Sequence, residues 1–528
     1  MDKAIIFFTR APLAGQTKTR LMPYLDGSQC AELHAELIKK IYAVCKRAEG
    51  GGAEIILAYT PDSGQEALAR IIPEHFAGDH VILRQRGEGI GERMENAFTD
   101  VFALGFQEVL LIGSDIPEIT EKIIAQAFAA LEDKDIVINP TLDGGYYLIG
   151  MKQPHHELWN IRQYGAGSVF ADTCAHIRRL KLSYACGSIC RDIDSREDLL
   201  AYRSRGGDPD SCMHCGACTD SCLFLKKYGL DLAGLAKRPE LAYSCFLCGR
   251  CREVCPLGID GEQIALRQRQ ERAFTEQGKK SLRAAYRGIL LEKNPYIFAN
   301  YKKGAYREVL FPGCNFTAFF PQTMKYLQAL MQAHDIGVVY DCCQKPVAQL
   351  GLYHDSVVNL RQIEKKLREL RVEELIVICP NCYHYLKERI SIPLKSIYKK
   401  LHELGLGRML ETENLQMFFP CPERSGGEIF ADLQLFLDVE TKTAFDAQQC
   451  CGLGGCAQVR EPKLARDMAD ASLRTGKPLY TYCASCVSSF RRQGHKDVYH
   501  LLPLILGVEE EIPLGLGSLL NRAKRKFK

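Results

Sequence analysis

The chain of 528 residues is too long for one hydrophobic core, and its length predicts about three domains. Its 68 basic and 64 acidic residues nearly cancel, so no global field favours nucleic acid or an anionic membrane. No stretch approaches the roughly eighteen apolar residues of a membrane span, and the opening apolar run is short and meets Arg10 where a signal peptide would continue. A cytoplasmic protein is therefore expected, in which the 24 cysteines are reduced and clustered spacing points to metal instead of disulfides.

In chain order, Ala4–Phe8 reads as a strand leading into the basic loop T-R-A-P-L-A-G-Q-T-K-T-R-L, and a helical pattern follows over Gln29–Arg47. Further strands are predicted at Glu54–Ala58, Val81–Arg84, Glu108–Gly113 and Asp135–Asn139, with helices at Glu66–Ile72, Ile90–Leu104 and Glu121–Leu131 between them. This alternation predicts an α/β domain with a mostly parallel sheet covered on both faces, and a ligand site at the carboxyl ends of the strands. At those ends stand Arg10, Lys18 and Arg20, suited to phosphates, and Asp115 in G-S-D-I-P, suited to a divalent cation. Asp143 is a second candidate carboxylate, followed by Gly144 and Gly145, which allow a ligand close to the backbone.

The motifs K-T-R-L, R-G-E-G-I-G-E-R-M-E-N-A-F, G-S-D-I-P, D-G-G-Y-Y-L-I-G and R-D-I-D-S-R-E-D-L resemble the bacterial GT-A-like glycosyltransferase family associated with arsenosugar biosynthesis, over residues 1–203. The resemblance implies a Rossmann-like nucleotide-diphospho-sugar transferase fold. It implies phosphate contacts for Arg10, Lys18 and Arg20, Mg²⁺ or Mn²⁺ at Asp115, and sugar or acceptor contacts for Asp143, Gly144 and Gly145. Asp192 and Asp194 match the family's terminal acidic pair. The family's tryptophan falls near Tyr164, whereas the one tryptophan here is Trp159, which reads as core packing.

Arg203–Ser211, polar with paired glycines and a proline, reads as a domain boundary. Next comes C-M-H-C-G-A-C-T-D-S-C and later C-F-L-C-G-R-C-R-E-V-C-P, two copies of the C-x2-C-x2-C-x3-C run in which three thiolates hold one [4Fe-4S] cube and the fourth reaches the other. The predicted sets are Cys212, Cys215, Cys218 and Cys255 for one cubane, and Cys222, Cys245, Cys248 and Cys251 for the other. Gly216 and Gly249 let the backbone curl within each run. Disulfides or zinc ribbons are the competing reading, but zinc sites usually pair one C-x2-C with a distant second. Gly261–Glu292 is charged with helical spacing and reads as one packing helix.

The rest contains an internal repeat. F-P-G-C314, D-C342-C343-Q and C379-P-N-C382 recur as F-P-C421, C450-C451-G and C483-A-S-C486, with offsets of 107, 108 and 104 residues between matching cysteines. Strand-like runs end at the cysteines, so thiolates are delivered from strand ends to one site per repeat, with zinc as the alternative occupant. Over residues 212–505 the pattern resembles the CCG cysteine-rich domain, found twice in the heterodisulfide reductase catalytic subunit and in the iron–sulfur subunits of glycolate, lactate and anaerobic glycerol-3-phosphate oxidation systems. That resemblance implies non-cubane [4Fe-4S] clusters on Cys314, Cys342, Cys343, Cys379 and Cys382, and on Cys421, Cys450, Cys451, Cys483 and Cys486. Gln344 stands where the family has glycine, and Cys456 is an extra thiol. The basic tail Asn521–Lys528 reads as a frayed, solvated end.

The predicted order is a transferase domain (1–203), a helical 2[4Fe-4S] ferredoxin-type domain (204–300) and two α/β CCG domains (301–410 and 411–528). The expected function is a metal-dependent nucleotide-sugar transferase acting on a small-molecule acceptor, fused to an iron–sulfur oxidoreductase module that exchanges electrons with a flavoprotein or ferredoxin. The alternative is an electron-transfer subunit whose first domain is inactive or of nucleotidyltransferase type.

Overall fold

A computed structural model describes residues 2–527 except 50–51, 160–168, 196–197, 200–201, 203–208, 411–414, 425–426, 438–440, 444–449 and 474–477. Tyr164 and most of the segment 203–211 lie outside the described residues. The chain divides into two compact units, Met1–Ser204 and Arg205–Lys528.

The first unit holds β1 (Lys3–Arg10), β2 (Ala53–Thr60), β3 (Ile82–Arg84), β4 (Glu108–Gly113), β5 (Ile136–Pro140), β6 (Tyr146–Met151) and β7 (Tyr184–Cys186). They form one sheet in the order β3-β2-β1-β4-β6-β5-β7, a mixed, Rossmann-like arrangement. Among the described strands of this sheet only β6 runs against its neighbours, pairing antiparallel with β4 and β5. Alternation along β1 serves two cores: Ile5 and Phe7 face the helices Gly27–Glu49 and Glu121–Asp133, while Ala4 and Ile6 face the helix Ile90–Ala103. Trp159 is buried, its ring centroid 5.7 Å from that of Phe98.

Two strands of this first sheet are additions to the sequence reading. β6 was hidden inside the glycine motif, and its residues Tyr147–Met151 are all buried, so it shows an unbroken apolar run instead of alternation. β7 has only three residues and no apolar stripe.

The second unit begins with short helices around the paired cysteine runs. Gly261–Glu292 is not one helix; it forms Gly261–Phe274, Glu276–Ala285 and Arg287–Lys293. The first break is set by Thr275, whose extended backbone ends one helix and whose hydroxyl accepts from Gly278 N to cap the next. A Cβ at Gly278 would lie 1.7 Å from Arg272 O, so glycine is required there.

Two parallel sheets follow. The first has β8 (Asn300–Lys303), β9 (Glu308–Phe311), β10 (Gly337–Tyr340), β11 (Glu374–Val377) and β12 (Leu394–Ser396), ordered β12-β11-β9-β10-β8 with β8 antiparallel. The second has β13 (Leu415–Met417), β14 (Thr441–Thr443), β15 (Leu479–Thr481) and β16 (Val498–His500), ordered β14-β13-β15-β16. Read from the other edge this is the same order without β8, so the duplicated cysteine pattern is a duplicated fold. Both sheets share one apolar core.

The basic tail is not a frayed end. Leu516–Phe527 is a helix, and Arg522, 8% exposed, donates to Cys314 O at 3.3 Å and pairs with Glu292 at 3.1 Å. No helix of the described residues is long and apolar enough to cross a membrane.

Gly150 in β6 lies between β4 and β5, where a Cβ would come within 2.3 Å of Leu110 and 2.8 Å of Val137. Gly150→Ala is expected to cost about 1–3 kcal/mol by overpacking. Urea unfolding followed by the emission of Trp159 checks it, since that tryptophan reports on the first unit alone.

Candidate functional sites

In the first unit a cavity of about 670 Å³ opens at the carboxyl ends of β1 and β4. It is lined by Arg10, Lys18, Arg20, Asp115, Asp143 and Gly145, together with His34, Asp192 and Asp194. Lys18 sits at its centre in a left-handed conformation (φ 49°) with its side chain 3% exposed. Its Nζ donates to Ile193 O at 2.7 Å and pairs with Asp115 at 2.9 Å and Asp194 at 3.2 Å. Arg20 pairs with the other Asp194 oxygen at 2.8 Å. Lys18 and Arg20 are thus committed to carboxylates that lie far off in sequence, whereas Arg10 donates to Gln16 O within its own exposed loop.

Burial would raise the Asp115 carboxyl, but Lys18, His34 and Arg10 outweigh it and hold it below the ordinary carboxylate range. Asp192 goes the other way: burial and the neighbouring Asp143, Asp198 and Asp194 push it well above that range. The carboxylates of Asp115, Asp143, Asp192 and Asp194 converge on this site, and Asp115 Oδ1 is buried beside Lys18 Nζ at 2.9 Å and the neutral His34 Nε2 at 3.5 Å. That donor set fits a divalent cation held by one or two carboxylates. Asp143 makes a turn in which its Oδ1 accepts from Thr141 Oγ1 at 2.6 Å and from Gly145 N at 3.0 Å. A Cβ at Gly145 would lie 2.9 Å from Thr141 Oγ1, and Gly144 has φ 93°.

Sequence reasoning missed His34. It lies on the buried face of its helix, where a lone histidine reads as core. Its Nδ1 is bonded to Thr17 Oγ1, its Nε2 lies 3.1 Å from Ser114 Oγ and 3.5 Å from Asp115, and burial pushes its pKa down to about 4. A neutral imidazole therefore braces the loop after β1 against the end of β4.

In the second unit two small cavities are lined by cysteines. One carries Cys212, Cys215, Cys218 and Cys255, and the other Cys222, Cys245, Cys248 and Cys251. The two runs share a backbone: His214 and Leu247 (φ 52° and 49°) and then Gly216 and Gly249 (φ 79° and 75°) are left-handed, curling each run around its cavity. Among the described residues the one group of three such ligand atoms within 4.8 Å of one another is Cys212, His214 and Asp231, and it holds a single sulfur. Four sulfurs around one zinc would lie about 3.8 Å apart, so the quartets fit a cluster better than a single ion.

In the repeats the cysteines follow parallel strands: Cys314 after β9, Cys342 and Cys343 after β10, and Cys379 after β11, with Cys382 in the next helix. Cys421, Cys450, Cys451, Cys483 and Cys486 follow β13, β14 and β15 in the same way. The turn after the Cys-Cys pair needs a left-handed residue; Gly452 supplies it at φ 76° and Gln344 at φ 66°. Gln344 is fixed there by accepting from Asn359 at 3.0 Å. The two cysteine sets face each other, for Asn381 donates to Cys483 Sγ at 3.7 Å and Asn315 to Ser485 Oγ at 2.7 Å.

Buried cations stand beside these sulfurs. Lys293 and Arg522 flank Cys314, and Arg424 lies among Cys248, Cys421 and Cys450. The Arg424 side chain is 5% exposed and, among the described residues, its three nitrogens have no oxygen or nitrogen acceptor within hydrogen-bond distance, only the Cys248 thiol within reach. The carboxylate facing it, Glu253 at 3.9 Å, is shared with Arg250, and metal-bound thiolates would supply the further negative charge. Both repeats therefore fit an anionic iron–sulfur centre. Cys456 (φ 54°) is half-buried near Arg269, apart from these sets.

Comparison with known proteins agrees with this layout. Residues 43–166 match the family described as "Uncharacterized protein conserved in bacteria (DUF2064)", 211–260 match "4Fe-4S dicluster domain", and 309–387 and 418–491 match "Cysteine-rich domain". A subunit of the fumarate reductase (CoM/CoB) of Methanothermobacter marburgensis is 23% identical over 343 residues, 54% of this chain and 69% of that protein. A subunit of the ferredoxin:CoB-CoM heterodisulfide reductase of Methanosarcina mazei is 33% identical over 75 residues, 12% of this chain and 47% of that protein. 2-Phospho-L-lactate guanylyltransferase of Methanocaldococcus jannaschii is 24% identical over 216 residues, 41% of this chain and 85% of that protein. A solved structure from Desulfovibrio desulfuricans described as a nucleotide-diphospho-sugar transferase is 28% identical, covers 39% of this chain and 89% of its own, and has a TM-score of 0.35. The chain spans about half the length of the first curated iron–sulfur relatives it matches, 51% in each case. It joins a nucleotidyltransferase-like α/β domain to a 4Fe-4S dicluster domain and two cysteine-rich domains like those of heterodisulfide-reductase-type proteins.

Because Cys255 shares a cavity with Cys212, Cys215 and Cys218, Cys255→Ser is expected to damage that cluster and largely spare the other. Low-temperature EPR of the reduced protein checks it; loss confined to the Cys245 group would reverse the two ligand sets.

Proposed function

We propose that the chain is a bifunctional enzyme, a metal-dependent transferase acting on nucleotide sugars joined to an iron–sulfur reductase module with four [4Fe-4S] centres. The observation that carries the second half is the delivery of each CCG cysteine set to the carboxyl ends of parallel strands, with buried cations beside them, Lys293 and Arg522 at the first set and Arg424 at the second. Cys212, Cys215, Cys218 and Cys255 would hold one cubane, and Cys222, Cys245, Cys248 and Cys251 the other. Cys314, Cys342, Cys343, Cys379 and Cys382, and Cys421, Cys450, Cys451, Cys483 and Cys486, would each hold a non-cubane centre. When bound, the clusters carry electrons one at a time toward a two-electron reduction of a disulfide or oxidation of a hydroxy acid. A flavoprotein or ferredoxin is the matching exchange partner.

In the first unit Asp115, with Asp192 or Asp194, would hold Mg²⁺ or Mn²⁺, which when bound offsets the charge of a leaving diphosphate. Lys18 orients Asp115 and Asp194 and supplies fixed positive charge, while Arg10 and Arg20 lie at the cavity wall where phosphates would enter. Asp143 would serve as base or acceptor-hydroxyl ligand, with Gly144 and Gly145 letting the sugar approach the backbone. A nucleotidyltransferase is the second reading, favoured by the alignment that spans 85% of a guanylyltransferase.

Removing a positioned charge group of this kind costs about two to four kcal/mol of transition-state stabilisation, a hundredfold or more in rate. Asp115→Asn is therefore expected to abolish metal-dependent binding of nucleotide sugars while leaving the visible spectrum unchanged. Calorimetry with a panel of nucleotide sugars and nucleoside triphosphates, with Mg²⁺ or Mn²⁺, checks it; binding of triphosphates alone selects the second reading, and no binding at all leaves the electron-transfer role only.

Anaerobic purification is expected to give about sixteen irons per chain, four for each of four clusters. Iron and sulfide analysis decides the point, and about eight irons would reduce the second unit to a relay.

A further inference from the structure

Three residues beyond Cys421, Arg424 lies at the junction of the dicluster region and the second repeat. Its neighbours are Cys248 from one cubane quartet and Cys421 and Cys450 from the repeat. The carboxylate facing it is Glu253, whose Oε2 is 3.9 Å from Arg424 Nη1 and is shared with Arg250 at 3.3 Å. The same unit shows what a structural buried arginine looks like. Arg269, with no exposed surface, donates to the carbonyls of Ala242, Cys245, Gln349 and Gly455 at 2.6–3.0 Å. Arg522 likewise spends its nitrogens on Cys314 O, Asn315 and Glu292. Arg424 does not: among the described residues its buried Nε, Nη1 and Nη2 have no oxygen or nitrogen acceptor within hydrogen-bond distance, and the group it reaches is the Cys248 thiol. A buried guanidinium carries five donors in a rigid fork, and leaving them unspent in a dry site is costly.

We propose that Arg424 spends those donors on sulfur, bonding at once to the cubane held by Cys222, Cys245, Cys248 and Cys251 and to the centre of the second repeat, and thereby raises the reduction potentials of both. The proposal rests on the cluster reading given above. Positive charge and hydrogen bonds to cluster sulfurs lower the cost of adding an electron. A single guanidinium facing both centres moves the two potentials together, which keeps transfer between them close to level. Arg424 is a positioning and tuning residue, touching the clusters and not a substrate.

The test uses the full chain, prepared anaerobically, with Arg424→Gln, Arg424→Lys and Glu253→Gln compared by iron and sulfide content and by EPR-monitored redox titration. Arg424→Gln is expected to keep its iron and to shift the reduced-to-oxidised ratio of the cubane at least tenfold toward oxidised at a given potential, about 59 mV downward for one electron. Arg424→Lys should fall between, and Glu253→Gln, which removes the opposing carboxylate, should move the potential upward. Unchanged potentials in Arg424→Gln and Glu253→Gln overturn the proposal. So does iron loss from both Arg424 variants with no shift in Glu253→Gln, because Arg424 would then only support the fold. If the parent chain holds about eight irons, the cluster reading of the repeats fails separately, and the cubane shift alone upholds or overturns the role of Arg424 at Cys248.

Discussion

The second unit depends on a charge placed where no water reaches it. Arg269 belongs to a stretch that reads in sequence as a charged packing helix, and its guanidinium is fully buried and binds four carbonyl oxygens. Two of those carbonyls, of Ala242 and Cys245, come from the dicluster region, one from Gln349 of the first repeat, and one from Gly455 of the second. Hydrogen bonds to a charged group are worth about 1.5–3 kcal/mol each, but their larger effect is geometric. A planar fork that must satisfy four segments fixes all four relative to one another, and the Cys245 carbonyl belongs to a predicted cluster ligand.

The two repeats show what duplication preserves and what it leaves free. Strand order and the position of each cysteine after its strand are kept, because thiolates must converge from the same edge of a parallel sheet. The left-handed turn after the Cys-Cys pair is also kept, but its chemistry is not. In the second repeat a Cβ at Gly452 would strike Ala465 O at 2.4 Å, whereas Gln344 in the first has room for its side chain and a partner in Asn359. Charge compensation is also solved twice, by Lys293 and Arg522 in one repeat and by Arg424 in the other.

Much of this was legible in the sequence because it is local. Strand ends, the cysteine spacing and the 104–108-residue offsets need no knowledge of tertiary contacts. What escaped was set by long-range packing. Lys18 reads as a free phosphate ligand in its loop, but Asp194 and the carbonyl of Ile193 reach it from 175 residues away and more. His34, Arg269 and Arg424 sit in patterns that describe an ordinary helix face or turn, and only the groups packed around them give them roles. β6 was lost because a strand covered on both faces has no alternation to read.

The contact between Arg522 and the carbonyl of Cys314 joins residues 208 positions apart. A chain leaving the ribosome at about 5–20 residues per second exposes Cys314 some ten to forty seconds before Arg522 exists. During that interval the first repeat lacks one of its two buried cations, and its cysteines stand without the helix that covers them. The surroundings of the Cys314 set are therefore completed late in the life of a nascent chain, whereas all eight dicluster cysteines are synthesised far earlier.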